Sequence, residues 1–124
     1  MEYPQIKRVI EVIAALRHPN TGCLWDLKQD HKSLLKYLIE ESYEYVHAVE
    51  IGDYKKMEEE MGDVLLQVLL NTKIASEGNS FDIESVAKTL ADKMIYRHPQ
   101  VFQYKTLAKN SYEVGANWKK LNKK

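Results

Sequence analysis

The stretch from Glu40 to Asp63 constrains this chain more than any other. It reads Glu40-Glu41-x-x-Glu44, then a turn at Gly52-Asp53, then Glu58-Glu59-Glu60-x-x-Asp63. Apolar residues recur at helical spacing in both halves: Leu34, Leu35, Leu38, Ile39, Val46 and Val49 before the turn, and Met57, Met61, Val64, Leu65, Val68 and Leu69 after it. That periodicity predicts an αα-hairpin. Residues three apart lie about 60° apart on a helical cylinder. Glu41 and Glu44 therefore share a face, as do Glu60 and Asp63, and closing the hairpin can set the two pairs opposite each other beside the packed seam.

Between residues 40 and 63 nine carboxylates stand against only Lys55 and Lys56. Like charges at helical spacing repel, and they cost far more when partly desolvated. A hard divalent cation relieves that cost, because Mg²⁺, Mn²⁺ and Ca²⁺ take oxygen ligands. A solvated acidic face is the plain alternative for any single Glu-x-x-Glu. Two facing pairs, each beside apolar residues, weigh against it.

The chain has 124 residues, enough for one domain with a sizeable core, and we expect residues 1–124 to form a single domain. Its formal net charge is zero. No global field recruits a nucleic-acid polymer or an anionic membrane. The acidic hairpin is balanced by a basic C-terminal part ending Lys119-Lys120-x-x-Lys123-Lys124. The single Cys23 excludes an internal disulfide, fits a reducing, cytoplasmic setting, and reads as structural rather than nucleophilic. No apolar run approaches the roughly 20 residues of a membrane span, and no leader pattern is expected.

Taken in order, a first helix is expected from Pro4 to about Arg17, burying Ile6, Val9, Ile10, Ile13 and Leu16. His18-Pro19-Asn20-Thr21-Gly22 stops it. Cys23 to Asp30 reads as a loop or short turn, in which Trp25, beside Asp26, Lys28 and Gln29, either lines a ligand pocket or plugs the end of a bundle. His31 reads as a surface residue. A second helix, capped by Asp30 or Ser33, ends near Gly52, and a third, capped by Asp53, runs to about Ser76. Gly78-Asn79-Ser80 breaks it. A fourth follows Asp82 with apolar positions Ile83, Val86, Ala87, Leu90, Met94 and Ile95, and carries Lys93 and Arg97 four apart on one face. These two cations form a solvated edge or hold phosphates. His98-Pro99 ends that helix. A last helix is expected near Asn110, with Glu113 in a capping box and Val114, Trp118 and Leu121 on one side. Trp118 is either a packing residue or a platform for a base. There is no strand pattern, glycine-rich phosphate loop, Ser/His/Asp arrangement or Cys/His zinc cluster. The expected class is all-α, a bundle of about four to five helices.

Four blocks, Trp25-Asp26-x-x-Gln29, Glu40-Glu41-x-x-Glu44, Glu60-x-x-Asp63 and Arg97-His98-Pro99-x-Val101-Phe102, resemble in order the MazG family of nucleoside triphosphate pyrophosphohydrolases, within the all-α NTP pyrophosphatase superfamily. The resemblance implies Mg²⁺-dependent hydrolysis of a nucleoside triphosphate to the monophosphate and pyrophosphate, with Mn²⁺ as a substitute. It implies a helical homodimer and metal ligation by Glu41, Glu44, Glu60 and Asp63. Glu40 matches a further carboxylate that binds a second metal or helps to activate water. Trp25, Lys28, Lys56, Glu59, Lys93, Arg97 and Trp118 resemble nucleotide-contacting positions. The chain departs from the family pattern at Leu24, where Pro is usual, at Asp30, where Thr is usual, and at Tyr96, where Arg is common.

Two rivals belong to other classes. A ferritin-like di-iron bundle would use Glu44-x-x-His47, but it needs a Glu-x-x-His on two helices, and the second pair here is Glu60-x-x-Asp63. A non-catalytic helical dimer that binds nucleotides or a protein would carry the same pattern. The nucleotide-pool role, cleaning or control of a signalling nucleotide, stays open on the residues alone.

Overall fold

The computed structural model describes residues 2–103. Over this range there are six helices and, among the described residues, no strand: α1 Pro4–Leu16, α2 Leu24–Leu27, α3 His31–Glu50, α4 Tyr54–Glu77, α5 Ile83–Arg97 and α6 Pro99–Phe102. The expected helix near Asn110, Glu113 and Trp118 lie outside the described residues. The chain divides into two compact units, one running to Ile83 and the other starting at Glu84.

Local chemistry sets the helix ends of the first unit. Pro4 occupies the first turn of α1, where its missing N–H costs nothing. Arg17 ends α1, and the chain then folds back so that Cys23 N–H donates to Leu16 O (2.9 Å) and Gly22 N–H donates to His18 O (2.8 Å). A Cβ at Gly22 would collide with the carbonyl oxygens of Leu16 and His18, so this turn needs glycine. Asp30 caps α3 in a reciprocal box: Ser33 N–H donates to Asp30 Oδ1 (2.7 Å), and Asp30 N–H donates to Ser33 Oγ (2.9 Å). The hairpin turn places Gly52 at φ +70°, the left-handed region that a Cβ disfavours. Asp53 then caps α4 by accepting from Lys56 N–H (3.1 Å). Asn79, at φ 57°, takes the chain out of α4.

Helix α3 packs along α4, and α1 packs against α4. The core is Ile13, Leu34, Leu69 and Leu70, with Val9, Ile10, Leu16, Tyr37, Leu66, Ile74 and Ile83 packed around it. Burying each of these large aliphatics fully contributes about 1.5–3 kcal/mol. The apolar assignment made from periodicity needs correction. Leu34 and Leu69 are buried as expected, but so are Ala48 and Leu70, which the pattern did not single out. Ile6 faces out, and so do Leu35 (56% exposed) and Ile39 (57% exposed), with Val46, Val49, Met61, Leu65 and Val68 also exposed. The reason is that α3 and α4 each carry more than one apolar face, and a single hairpin seam covers only one.

The stretch from Cys23 to Asp30 is a short turn, with one turn of helix at Leu24–Leu27. Cys23 is exposed. His31 is exposed as expected, and its Nδ1 meets Asn71 Oδ1 at 2.9 Å.

In the second unit, α5 buries no residue fully; Val86 and Met94 are half-buried, while Leu90 and Ile95 are exposed. Lys88 and Asp92 form an exposed pair one turn apart (2.7 Å). His98 Nδ1 donates to Met94 O (2.7 Å), and Pro99 at the first turn of α6 marks where α5 stops.

Candidate functional site

The hairpin does what its spacing predicts for three of the four acidic positions. Glu41 on α3 meets Glu60 and Asp63 on α4, and one oxygen from each carboxylate lies within 4.8 Å of the others. Glu41 and Glu60 are half-buried. In the unit that runs to Ile83, no Lys or Arg pairs with any of the three among the described residues. The electrostatic consequence shows on Glu41, whose carboxyl is pushed above the ordinary glutamate range. Partial burial is the largest cause, followed by the charges of Asp63, Glu60, Glu44 and Glu40.

Glu44 stands outside the converging set and is exposed, one turn along α3 from Glu41, yet close enough for its charge to act on Glu41. Glu40 is also exposed and acts on Glu41 in the same sense. His47 is exposed and is not part of the set. Three converging oxygen donors, with no Lys or Arg of their own unit paired to them among the described residues, form a donor set that suits a hard divalent cation. The fit is to Mg²⁺, Mn²⁺ or Ca²⁺ chemistry rather than to a soft metal, which would call for thiolate or imidazole.

One turn before Glu41 on the same helix, Tyr37 is half-buried. Trp25, on α2, meets its ring edge-on, with centroids 5.6 Å apart and planes at 72°. Trp25 stays 49% exposed, so it does not plug the bundle end; it forms an open aromatic surface. Lys28 is exposed just after α2, and Lys36 Nζ lies 5.1 Å from the Tyr37 ring centroid. Lys56 and Glu59 are exposed on the first turns of α4, upstream of Glu60. Lys93 and Arg97 lie one turn apart on α5, in the second unit; Lys93 is exposed and Arg97 half-buried. Trp118 lies outside the described residues.

Sequence reasoning missed Tyr37 and Arg17. Tyr37 sits at the i−4 position from Glu41, which is a usable signal once Glu41 is a candidate. Arg17 is buried and forks onto Glu77 (2.6 and 3.0 Å), a partner sixty positions away with no local signature.

Fold and site together define an all-α protein with an oxygen-donor centre set across a helical hairpin. Residues 29–102 match the model of the MazG nucleotide pyrophosphohydrolase domain, and the chain belongs to that family of hydrolases. It is 48% identical over 96 residues (77% of this chain, 37% of the relative) to a protein of Thermotoga maritima named nucleoside triphosphate pyrophosphohydrolase/pyrophosphatase MazG. It is 36% identical over 117 residues (94% of this chain, 44% of the relative) to the nucleoside triphosphate pyrophosphohydrolase of Escherichia coli K12. The chain thus spans less than half the length of these curated relatives. Among solved structures, a MazG-related protein from Thermotoga maritima superposes with a TM-score of 0.76 at 31% identity, covering 95% of this chain and 99% of that one.

Proposed function

We propose that this chain hydrolyses nucleoside triphosphates to nucleoside monophosphate and pyrophosphate, with a divalent cation, Mg²⁺ by preference and Mn²⁺ as a substitute, at the hairpin carboxylates. The observation that carries this reading is the convergence of Glu41, Glu60 and Asp63, in a chain of this family, without a countercharge from their own unit. These three residues hold the cation and Glu44 completes the set. When bound, the metal supplies charge neutralisation on the triphosphate and activation of water. Glu40, beside Glu41 and exposed, is the carboxylate we assign to accept the proton of the attacking water, or else to bind a second cation. Trp25 offers a ring face to the nucleotide, and Lys28, Lys56 and Glu59 offer polar contacts. Lys93 and Arg97 hold phosphate oxygens, as an ammonium point charge and a guanidinium fork respectively. Trp118 stacks on the base.

We assign the protein to a homodimer. The support is apolar: Leu35, Ile39, Val46 and Val49 recur at helical spacing on α3 and are exposed, as are Met61, Leu65 and Val68 on α4. Two-fold pairing would cover such faces. The family match spans both compact units, which supports one functional domain. No described helix is long and apolar enough to cross a membrane. We assign the protein to the cytoplasm, acting on free nucleotides and on no nucleic-acid polymer. Its role is to remove unwanted nucleotides from the pool or to control a signalling nucleotide.

The test is incubation with Mg²⁺ and a panel of ribo-, deoxy- and modified triphosphates, following pyrophosphate and orthophosphate separately. Stoichiometric pyrophosphate and monophosphate support the proposal. Orthophosphate with diphosphate, or no turnover on any member, refutes it and favours a non-catalytic binding protein.

A further inference from the structure

The α2 segment is held by little of its own. It is one helical turn, closed by Leu27 N–H to Cys23 O (2.9 Å) and Lys28 N–H to Trp25 O (3.2 Å), and none of its residues is buried. Beside the Cys23 N–H to Leu16 O bond and the Trp25–Tyr37 ring contact, it is tied to the rest of the unit by Arg17, at the C-terminal end of α1. The Arg17 side chain is 7% exposed. Its Nε and Nη2 fork onto the Glu77 carboxylate of α4 at 3.0 and 2.6 Å. The remaining nitrogen, Nη1, donates to the backbone carbonyls of Asp26 and Gln29, the latter at 3.2 Å. Gln29 relays this hold in both directions: its Nε2 donates to Trp25 O (2.9 Å), and its Oε1 accepts from Ser33 Oγ at the start of α3 (2.8 Å).

We propose that Arg17 is a positioning residue for the nucleotide site: its guanidinium fixes the segment that presents Trp25 beside Tyr37, one turn from Glu41. Glu77 is its anchor, and the two carbonyls are its load. The inference rests on the reading of Trp25 as a nucleotide contact, and it adds a device which that reading lacks. Only a planar fork with donors on several edges can hold a carboxylate and two carbonyls together; a lysine ammonium is a single point charge on a flexible stem. A purely stabilising ion pair would need Glu77 alone. The bonds from Nη1 to a turn that buries none of its residues fully are what make the role one of placement.

The test separates placement from stability. The double variant Arg17→Met with Glu77→Leu removes the ion pair without leaving a buried charge unpaired, a replacement that proteins often tolerate without loss of stability. The single variant Glu77→Gln removes the charge partner but keeps the guanidinium and its bonds to Asp26 and Gln29. Two readouts are taken below the melting range: kcat and KM for a triphosphate with Mg²⁺, and the mobility of a nitroxide on the chain's single, exposed cysteine, Cys23, two positions before Trp25. The double variant is expected to raise KM about tenfold with kcat within about threefold, and to loosen the label. Glu77→Gln is expected to melt lower but to keep KM and label mobility near wild type. A double variant with wild-type KM and an equally immobile label overturns the proposal. So does a KM that rises in both variants in step with lost melting temperature. If the wild type turns over no triphosphate, the proposed function fails by itself, and the label alone decides whether Arg17 fixes the segment.

Discussion

Glu41 and Asp63 face each other across the hairpin from α3 and α4, and with Glu60 they bring carboxylate oxygens within 4.8 Å of one another. Partial burial and the neighbouring charges hold the Glu41 carboxyl above its ordinary range. Such a convergence of like charges costs free energy, and a bound cation would offset that cost.

Removing one charge from the cluster should stabilise the metal-free protein. Glu41→Gln keeps the shape while deleting repulsion from four carboxylates. We expect a gain of about 0.5 kcal/mol, which raises the melting temperature by about 2–4 °C in a unit of this size. Thermal melts in chelator check this; a clear fall in melting temperature would mean that Glu41 is held by favourable contacts instead. Turnover should be lost in the same variant.

Acid should act on two glutamates with opposite sign. Glu77 lies below its ordinary value, first because of its hydrogen bond from Arg17. Its stabilising contribution is therefore present above the unfolded-state pKa and lost as pH falls through the folded one. Glu41 lies above its ordinary value, so its penalty is full at neutral pH and is relieved as pH falls through its raised pKa. Metal-free stability should thus rise slightly on mild acidification and then fall below the ordinary glutamate range. Glu77 is partly exposed, so solvent screening limits Glu77→Gln to a cost of about 1 kcal/mol at neutral pH. Melts across pH should show that difference vanish in acid. A cost that is constant with pH would contradict the assignment to this ion pair.

Assembly can be tested at one position. Ile39 is 57% exposed on the apolar stripe of α3 and contributes nothing to the core cluster. Light scattering of the wild type should give about twice the chain mass of 14.5 kDa. Ile39→Glu should shift the mass toward that of one chain at micromolar concentration, with helical circular dichroism retained. A wild type of single-chain mass would refute the dimer.

Much of the fold was legible because the signals that set it are local. Pro4, Asp30, Gly52 and Asp53 each act within a few residues of their own position, and each marks a helix end where expected. The acidic centre was legible for the same reason, since Glu60 and Asp63 share a face by spacing alone and a short turn forces α3 against α4. Which apolar face turns inward was not legible. Leu35 and Ile39 are as apolar as Leu34, and only the approach of α1 and α4 decides that Leu34 is the one covered. Periodicity puts Glu44 on the Glu41 face of α3, but it does not tell how close the carboxylates come: the exposed Glu44 side chain stands apart from the three that converge. Arg17 and Glu77 lie sixty positions apart, and nothing in either neighbourhood announces the other.

Melting with and without metal decides whether the hairpin carboxylates hold a cation. Wild type, Glu41→Gln and Glu60→Gln are melted in chelator and then in Mg²⁺, with and without a non-hydrolysable triphosphate. Mg²⁺ at 100 times its Kd should stabilise the wild type by about 2.7 kcal/mol and should add little to either variant. A wild-type melting temperature indifferent to Mg²⁺, Mn²⁺ and chelator, whether or not nucleotide is present, would contradict the metal site and the hydrolytic reading built on it.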